Sequence, residues 1–206
     1  AKTTDGIGVF MERFSNSCRE VAQGGRRGAL MLTISIHHPD IETFINIKRD
    51  LSKVTGANIS VRLSDEFMKA VENNEDYELR FPVDATGDDK TVTTTASATE
   101  IWNQIIESAH GSAEPGLLFW DNVLNYTPAQ IYKDDGFHTI STNPCSEITL
   151  SAYDSCRLLL LNTTSFVSNA FSKNAEFDYD LFREIAGKAQ RLMDDLIDLE
   201  IECVDK

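Results

Sequence analysis

Short apolar runs that alternate with helical patterns constrain this fold more than any other feature of the sequence. The runs ALMLTISI (29–36) and ANISVRLS (57–64) have the length and composition of β-strands, and the segment between them has helical spacing. LLFWDNV (117–123) and RLLLLN (157–162) are predicted as two further strands, the first of them running into a polar turn. Strands that alternate with helices are typical of α/β folds, and we expect these strands to be parallel.

The helical patterns and the remaining strand complete this outline. Ser64 is predicted to cap a helix that has two acidic residues in its first turn. Residues 84–98 are poor in apolar side chains and rich in Thr, which indicates a loop or an exposed hairpin after the short strand YELRF. Further helices are predicted over 5–22, from Asp40 onward, over 99–110 with a stop at Gly111, and over about 178–203.

The charge balance limits the classes of partner. The chain has 206 residues, 41% of them hydrophobic, and its formal net charge is -14 from 33 acidic and 19 basic side chains. That balance argues against nonspecific binding to nucleic acid or to an anionic membrane, because both require a basic surface. No apolar run approaches the length of a membrane span. Four cysteines without CxxC spacing are too few for a disulfide scaffold, so a cytoplasmic location is expected.

The segment STNPCSEITL (141–150) carries the most informative side chains. On an extended strand, Asn143, Cys145 and Glu147 would point to the same face, each roughly 6.5 to 7 Å from the next. An unpaired carboxylate is costly in a hydrophobic core. This pattern therefore predicts either a solvated face or a reaction site.

Several interpretations stay open at this point. Cys145 can be a small buried hydrophobe, as free cysteines often are, with Glu147 pointing to solvent. A cysteine hydrolase with His138 as its base is a weaker alternative, and His138 is more simply a surface or strand-end residue. Cys156 is either a second redox thiol or a space-filling residue. The scattered histidines and cysteines favour no metal site.

Two separate segments resemble the catalytic subunit of ribonucleotide reductases. TNPCSEITLSAYDSCRLLLLN is similar to the active-site segment of that family, in which the pattern N-x-C-x-E precedes a second cysteine, and its form is most similar to the adenosylcobalamin-dependent (class II) enzymes. AQGGRRGALMLTISIHHPDIETFINIKRD, followed by TGANISVRLSDEFMKAV, resembles the effector-loop region and the next barrel strands. The resemblance implies part of a ten-stranded α/β barrel of the ribonucleotide reductase and glycyl-radical type. The whole chain, 1–206, is expected to be a single partial catalytic domain, cut at both ends.

The resemblance implies a role for each residue of the first segment. Cys145 matches the cysteine that becomes a thiyl radical and abstracts the 3′ hydrogen of the ribose, and Glu147 matches the carboxylate that takes the 3′ hydroxyl proton. Asn143 matches the amide that hydrogen-bonds a substrate hydroxyl. Cys156 matches one half of the dithiol that delivers the reducing equivalents and ends as a disulfide.

The second segment resembles the family loop that lies between the effector nucleotide and the substrate base. Its predicted contact residues are Gln23, Gly24, Gly25, Arg26, Arg27 and Gly28. Gln23 and Arg27 are the candidates for base contacts, whereas Arg26 departs from the commoner family pattern. Without the resemblance, a mobile basic hairpin tip explains this loop equally well. Cys18, just before the loop, is predicted to be structural, and Cys203 is predicted to lie in the core.

The family also implies cofactors and partners. Adenosylcobalamin is the expected cofactor, and deoxynucleoside triphosphates or ATP are the expected effectors. The partners would be a ribonucleotide substrate, a thioredoxin- or glutaredoxin-type reductant and the remaining segments of the same subunit, with no nucleic acid and no membrane. Because the cysteine partner of Cys156 and the phosphate loops would lie outside this segment, the chain is expected to be inactive alone. The alternative is a non-enzymatic nucleotide-binding or assembly module that keeps the fold.

Overall fold

The computed structural model describes residues 5–21 and 25–204. The chain divides into two compact units, Ala1–Asp154 and Ser155–Lys206. The first unit contains α1 (Ile7–Glu20), β1 (Met31–Ser35), α2 (Ile41–Asn46), β2 (Asn58–Leu63), α3 (Asp65–Asn73), β3 (Asp76–Phe81), β4 (Val92–Ser97), α4 (Ala98–Ser112), β5 (Gly116–Phe119), α5 (Trp120–Tyr126), β6 (Thr139–Thr142) and β7 (Thr149–Ser151). The second unit contains β8 (Val167–Ser168), β9 (Glu176–Phe177) and α6 (Tyr179–Val204).

A three-stranded parallel sheet organises the first unit. Its strand order is β1-β2-β5, with Ile34 opposite Val61 and Val61 opposite Leu117. This confirms the predicted α/β class and the parallel pairing of three of the four predicted strands. The described residues form an open sheet and no closed barrel, so the ten-stranded architecture is not seen in this chain alone.

The hydrophobic core lies against one face of this sheet. Apolar side chains at alternate positions of β1 and β2 meet the apolar faces of the helices, and the largest of them are fully buried. Each buried side chain of this size contributes about 1.5 to 3 kcal/mol relative to an exposed one. The members with the least exposure include Ile36, Ile41, Phe44, Ile45, Ile59, Val61, Leu63, Phe67, Ile101 and Ile105.

Local sequence signals set several helix ends. Ser64 caps α3 as predicted, since its hydroxyl accepts a hydrogen bond of 3.1 Å from the Phe67 amide. Gly111 does not stop α4 as expected. The helix continues to Ser112 and ends at Ala113, which takes a left-handed conformation with φ 62°.

Two strand predictions need correction. The run 117–123 is a strand only as far as Phe119, and α5 begins at Trp120 instead of a polar turn. The run 157–162 is not a strand. Leu158 and Leu160 are mostly exposed. No strand of the described chain pairs with this run, and a strand cannot form without a neighbour that shares its backbone hydrogen bonds.

The Thr-rich segment belongs to a hairpin, which is one of the two structures, loop or hairpin, predicted for it from sequence. Strand β4 pairs antiparallel with β3 along its whole length, with Asp76 opposite Ser97 and Phe81 opposite Val92. The hairpin attaches to the sheet through Tyr77, whose hydroxyl donates to the Ile36 carbonyl at 3.0 Å.

The second unit is small and is built around aromatic side chains. Phe166 packs edge-on against Phe182 with ring centroids 5.2 Å apart, and Phe177 contacts both rings. Helix α6 follows and confirms the predicted long helix, but Cys203 is exposed there and does not lie in a core. No helix in the described ranges is both long and apolar enough to cross a membrane. The expectation of one domain over 1–206 stays a prediction.

Candidate active site

The segment that carries Asn143, Cys145 and Glu147 is a turn between two strands. Strand β6 ends at Thr142 and β7 begins at Thr149, and the two pair antiparallel. The prediction that the three side chains stand in a row on one strand is therefore wrong. A sequence in which residue types alternate suggests a strand, but the alternation does not show where the chain reverses.

The side chain of Asn143 holds this turn together. Its Oδ1 accepts a hydrogen bond of 3.0 Å from the Ile148 amide, and its backbone carbonyl accepts one of 3.0 Å from the Ser146 amide. Ser146 takes φ 69°, a left-handed conformation that reverses the chain. Asparagine favours such turns because its short side chain replaces a backbone partner.

The turn presents its thiol and its carboxylate to solvent. Cys145 and Glu147 are both exposed, whereas Asn143 is only 8% exposed. The alternative in which Cys145 is a buried space-filling residue is therefore wrong. The thiol is open to a reaction partner, and the carboxylate carries no burial cost.

The β6–β7 hairpin lies across the polar face of the parallel sheet, opposite the hydrophobic core. Asn58 Nδ2 donates to the Pro144 carbonyl at 2.7 Å, and Arg62 Nη1 donates to the Ile140 carbonyl at 3.3 Å. Between them, the hydroxyls of Thr33 and Ser141 lie 3.3 Å apart. In the run 57–64, Asn58 and Arg62 alternate with apolar residues and so share one polar strand face, to which no role was assigned from sequence. The signal was present, since parallel strands are usually apolar on both faces.

Arg62 has a second contact that fixes its guanidinium. The group lies over the Trp120 ring, 4.9 Å from the ring centroid, at the end of β2. Burial lowers the pKa of Arg62, and the carboxylate of Asp84 partly offsets this effect. The hairpin is thus held at its far end by a cation that the protein orients on an aromatic face.

A cavity of about 690 Å³ brings the two family-like segments together. Arg27 and Gly28 of the glycine-rich loop line it, and so does Pro144, the residue before Cys145. Arg19 of α1 also lines it and donates to the Thr55 hydroxyl at 2.9 Å. Its volume lies within the range that is usual for small-molecule sites in proteins.

A smaller cleft of about 250 Å³ shares Asn58 and Pro144 with this cavity. Cys145 and Ser146 line it together with Glu114. The Glu114 carboxylate forms an ion pair with Lys48, and its Oε1 accepts a hydrogen bond of 2.9 Å from the Ile59 amide. Cys145 therefore borders a cleft whose wall is a paired and anchored carboxylate.

The other predicted site residues, those of the glycine-rich loop and Cys156, lie outside the β6–β7 turn. Gly25, with φ 83°, Arg26 and Arg27 are exposed, and Gly28 packs so closely on α1 that an added Cβ would lie 2.8 Å from the Cys18 carbonyl oxygen. Gln23 and Gly24 fall outside the described residues. Cys156 lies in the second unit and is partly buried.

The structure gives little support to a cysteine hydrolase that uses His138 as its base. His138 is exposed just before β6, and the turn with Cys145 follows that strand. A four-residue strand is about 13 Å long, which is far beyond the reach of a general base. The described part of the chain contains no group of three or more His, Cys, Asp or Glu side chains that could hold a metal ion.

Comparisons with known proteins agree with the two matched segments. The family model described as "Ribonucleotide reductase, barrel domain" matches residues 1–206. A vitamin B12-dependent ribonucleoside-diphosphate reductase of Thermoplasma acidophilum is 36% identical over 191 residues, which is 92% of this chain and 23% of that protein. The protein of the same name from Mycobacterium tuberculosis is 33% identical over 200 residues, or 96% of this chain and 27% of that protein.

A more distant relative gives the same picture. The vitamin B12-dependent ribonucleotide reductase of Streptomyces clavuligerus is 28% identical over 211 residues, which is 90% of this chain and 21% of that protein. The chain thus spans roughly a quarter of the length of these relatives. Because the family model covers all 206 residues, the chain belongs to the ribonucleotide reductase barrel-domain family.

Proposed function

We propose that this chain forms part of the catalytic core of a ribonucleotide reductase, in which Cys145 carries the thiyl radical that acts on the ribose. Family membership and the names of the relatives support the reaction class. The observation that carries the proposal is the placement of Cys145. An exposed thiol on a tight turn borders one cleft, and its neighbour Pro144 lines a larger cavity together with Arg27.

Residue chemistry supports the roles within the turn. As a thiyl radical, Cys145 takes the 3′ hydrogen of the ribose, so that a C–H bond breaks and an S–H bond forms. Glu147, exposed two residues later, takes the 3′ hydroxyl proton as a general base. The oxygen of the Asn143 amide is engaged by the Ile148 amide, so the contact with a substrate hydroxyl falls to its nitrogen, which donates.

Cys156 is assigned to the reducing half of the reaction. One thiol of a dithiol pair, it would supply electrons while the 2′ hydroxyl leaves as water, and the pair would end as a disulfide. Two electrons and two protons leave the dithiol, which balances the removal of one oxygen from the ribose. A thioredoxin- or glutaredoxin-type protein would then reduce the disulfide, and the second cysteine of the pair would come from another segment of the subunit.

Adenosylcobalamin is the cofactor that the names of the relatives support. When bound, it supplies the radical that removes the hydrogen atom from the cysteine thiol. The exposed position of Cys145 fits such a source, because a thiol sealed in the core would be out of reach. This chain would contribute the thiol and the turn that orients it.

The glycine-rich loop is proposed to contact nucleotides. Gly25, Arg26 and Arg27 are exposed, and Arg27 and Gly28 line the larger cavity, where a guanidinium can bond to a base edge or a phosphate. Glycine permits the close approach of backbone to ligand that such a loop needs. Gln23 and Gly24 remain candidates on sequence alone, as do deoxynucleotide or ATP effectors and a cytoplasmic location.

Replacing the thiol tests this function. In an assembled reductase that contains this chain, Cys145→Ser should abolish ribonucleotide reduction, because a hydroxyl cannot form the radical. Cys203→Ser, at an exposed position of α6, is the matched control and should keep turnover. Full turnover by Cys145→Ser, with unchanged thermal unfolding, would contradict the proposal and favour a nucleotide-binding or assembly module.

A further inference from the structure

We propose that Asn58 is a positioning residue for the Cys145 thiol, an inference that rests on the proposed function of that cysteine. Asn58 begins β2, and its Nδ2 donates to the Pro144 carbonyl at 2.7 Å. The peptide group that accepts this bond joins Pro144 to Cys145. The bond therefore fixes the backbone directly before the reactive sulfur.

The hydrogen bonds inside the turn do not attach it to the sheet. Those of Asn143 to the Ser146 and Ile148 amides give the turn its shape, but they connect the turn only to itself. The contacts of Thr33 and Arg62 reach the hairpin at Ser141 and Ile140, before the turn. Among the described hydrogen bonds between sheet and hairpin, the one from Asn58 lies nearest to Cys145.

The backbone of Asn58 is itself anchored on both sides. Its amide donates to the Leu30 carbonyl at 2.8 Å. The carbonyl of the preceding residue, Ala57, accepts a hydrogen bond from Lys48, and the amide of the following residue, Ile59, donates to Glu114 at 2.9 Å. Lys48 and Glu114 are paired with each other and are largely shielded from solvent.

This anchoring makes Asn58 a fixed point from which to place the turn. Because the backbone of Asn58 is held by these hydrogen bonds, the bond from its side chain ties the turn to a fixed part of the sheet. Asn58 also lines both the 690 Å³ cavity and the 250 Å³ cleft. Pro144 also lines both, so the bond between the two residues borders the cavity of the glycine-rich loop as well as the cleft beside Cys145.

The test replaces Asn58 by Leu, which has similar size and lacks the donor. The matched control is Asn46→Leu in α2, where Nδ2 donates to the Glu42 carbonyl and to Gln104 at 2.9 and 3.0 Å, away from the hairpin. Hydrogen exchange of the amides over 143–148 should become about threefold to tenfold faster in Asn58→Leu, the range expected for one lost hydrogen bond, and should not change in the control.

Turnover of the assembled reductase gives a second readout. We expect kcat to fall by about tenfold or more in Asn58→Leu while KM stays within a factor of about two, because displacement of a reacting group lowers the rate and not substrate binding. Asn46→Leu should keep both values. A purely structural role would lower the amount of folded enzyme without this separation of kcat from KM.

Each outcome decides the inference. Unchanged exchange over 143–148 overturns it, and so does faster exchange with unchanged kcat, since the bond would then not position the thiol. If Asn58→Leu does not fold, the side-chain amide protons of Asn58 in the unsubstituted chain decide: exchange as fast as that of the exposed Asn125 overturns the inference. These exchange measurements are independent of turnover by Cys145→Ser, so failure of the proposed function is recognised separately.

Discussion

Substitution of Gly56 by Ala tests how tightly α1 is seated against the parallel sheet. A Cβ atom on Gly56 would lie 2.4 Å from the Ser15 carbonyl oxygen and 2.6 Å from Arg19 Cγ, and ordinary contact begins only near 3.4 Å. The nearer of these atoms belongs to helix backbone, so α1 must shift by about 1 Å. The amide of Gly56 also donates to the fully buried Ser15 hydroxyl at 2.8 Å, and this bond would be strained by the same shift.

The expected cost is about 1 to 3 kcal/mol, the usual range for an overpacked site. For a chain of this length, that loss lowers the unfolding midpoint by about 2 to 12 °C in a thermal scan followed by circular dichroism. Gly111→Ala is the control, since no atom lies within 4 Å of its Cβ position and it sits inside α4, where alanine is favoured over glycine by roughly 0.5 to 1 kcal/mol. The two variants should shift the midpoint in opposite directions. A Gly56→Ala protein as stable as the unsubstituted chain would refute the close packing of α1 against Gly56.

Three further predictions concern polar groups of the first unit. Tyr77→Phe removes the buried bond between β3 and the sheet and should cost about 0.5 to 1.5 kcal/mol in chemical denaturation, whereas the same change at the exposed Tyr126 should cost nothing measurable. Burial lowers the pKa of His37 in the folded chain, so the unfolded chain binds a proton first as the pH falls below about 6.5. The unfolding free energy should therefore decrease below that pH, and it should decrease less in the His37→Gln variant. Lys48→Met leaves the Glu114 carboxylate without its cation and should destabilise the chain by about 1 to 3 kcal/mol, and part of this loss should return when Glu114→Gln is added; no recovery in the double variant would contradict the pairing.

Local periodicity was sufficient to predict some of the elements that pack within the first unit, among them β2 and α3. The apolar alternation of β2 and the cap at Ser64 are set by neighbours in sequence, and both appear in the structure as predicted. The run 157–162 failed for the opposite reason. An apolar composition predicts a strand, but strand formation depends on a partner strand, which composition cannot supply.

The candidate site was predicted from the resemblance to a family motif, and the strand geometry assigned to its residues was wrong. N-x-C-x-E alternates like a strand, whereas the chain reversal depends on a hydrogen bond that the Asn143 side chain accepts from the Ile148 amide, and alternation does not reveal this bond. The hydrogen bond from Asn58 to Pro144 was missed because the two residues lie 86 positions apart in sequence. A polar face on a parallel strand was the available clue, since such a face needs a polar cover.

The central claim is that the β6–β7 turn presents the Cys145 sulfur to a ribose held beside the glycine-rich loop. A structure of the assembled reductase with a ribonucleotide bound tests it most directly, through the distance between Cys145 Sγ and the C3′ atom. We expect a separation of about 3 to 3.5 Å, the range in which a hydrogen atom passes between two positioned groups. A separation more than twice as long, with another residue of the chain against C3′, would contradict it.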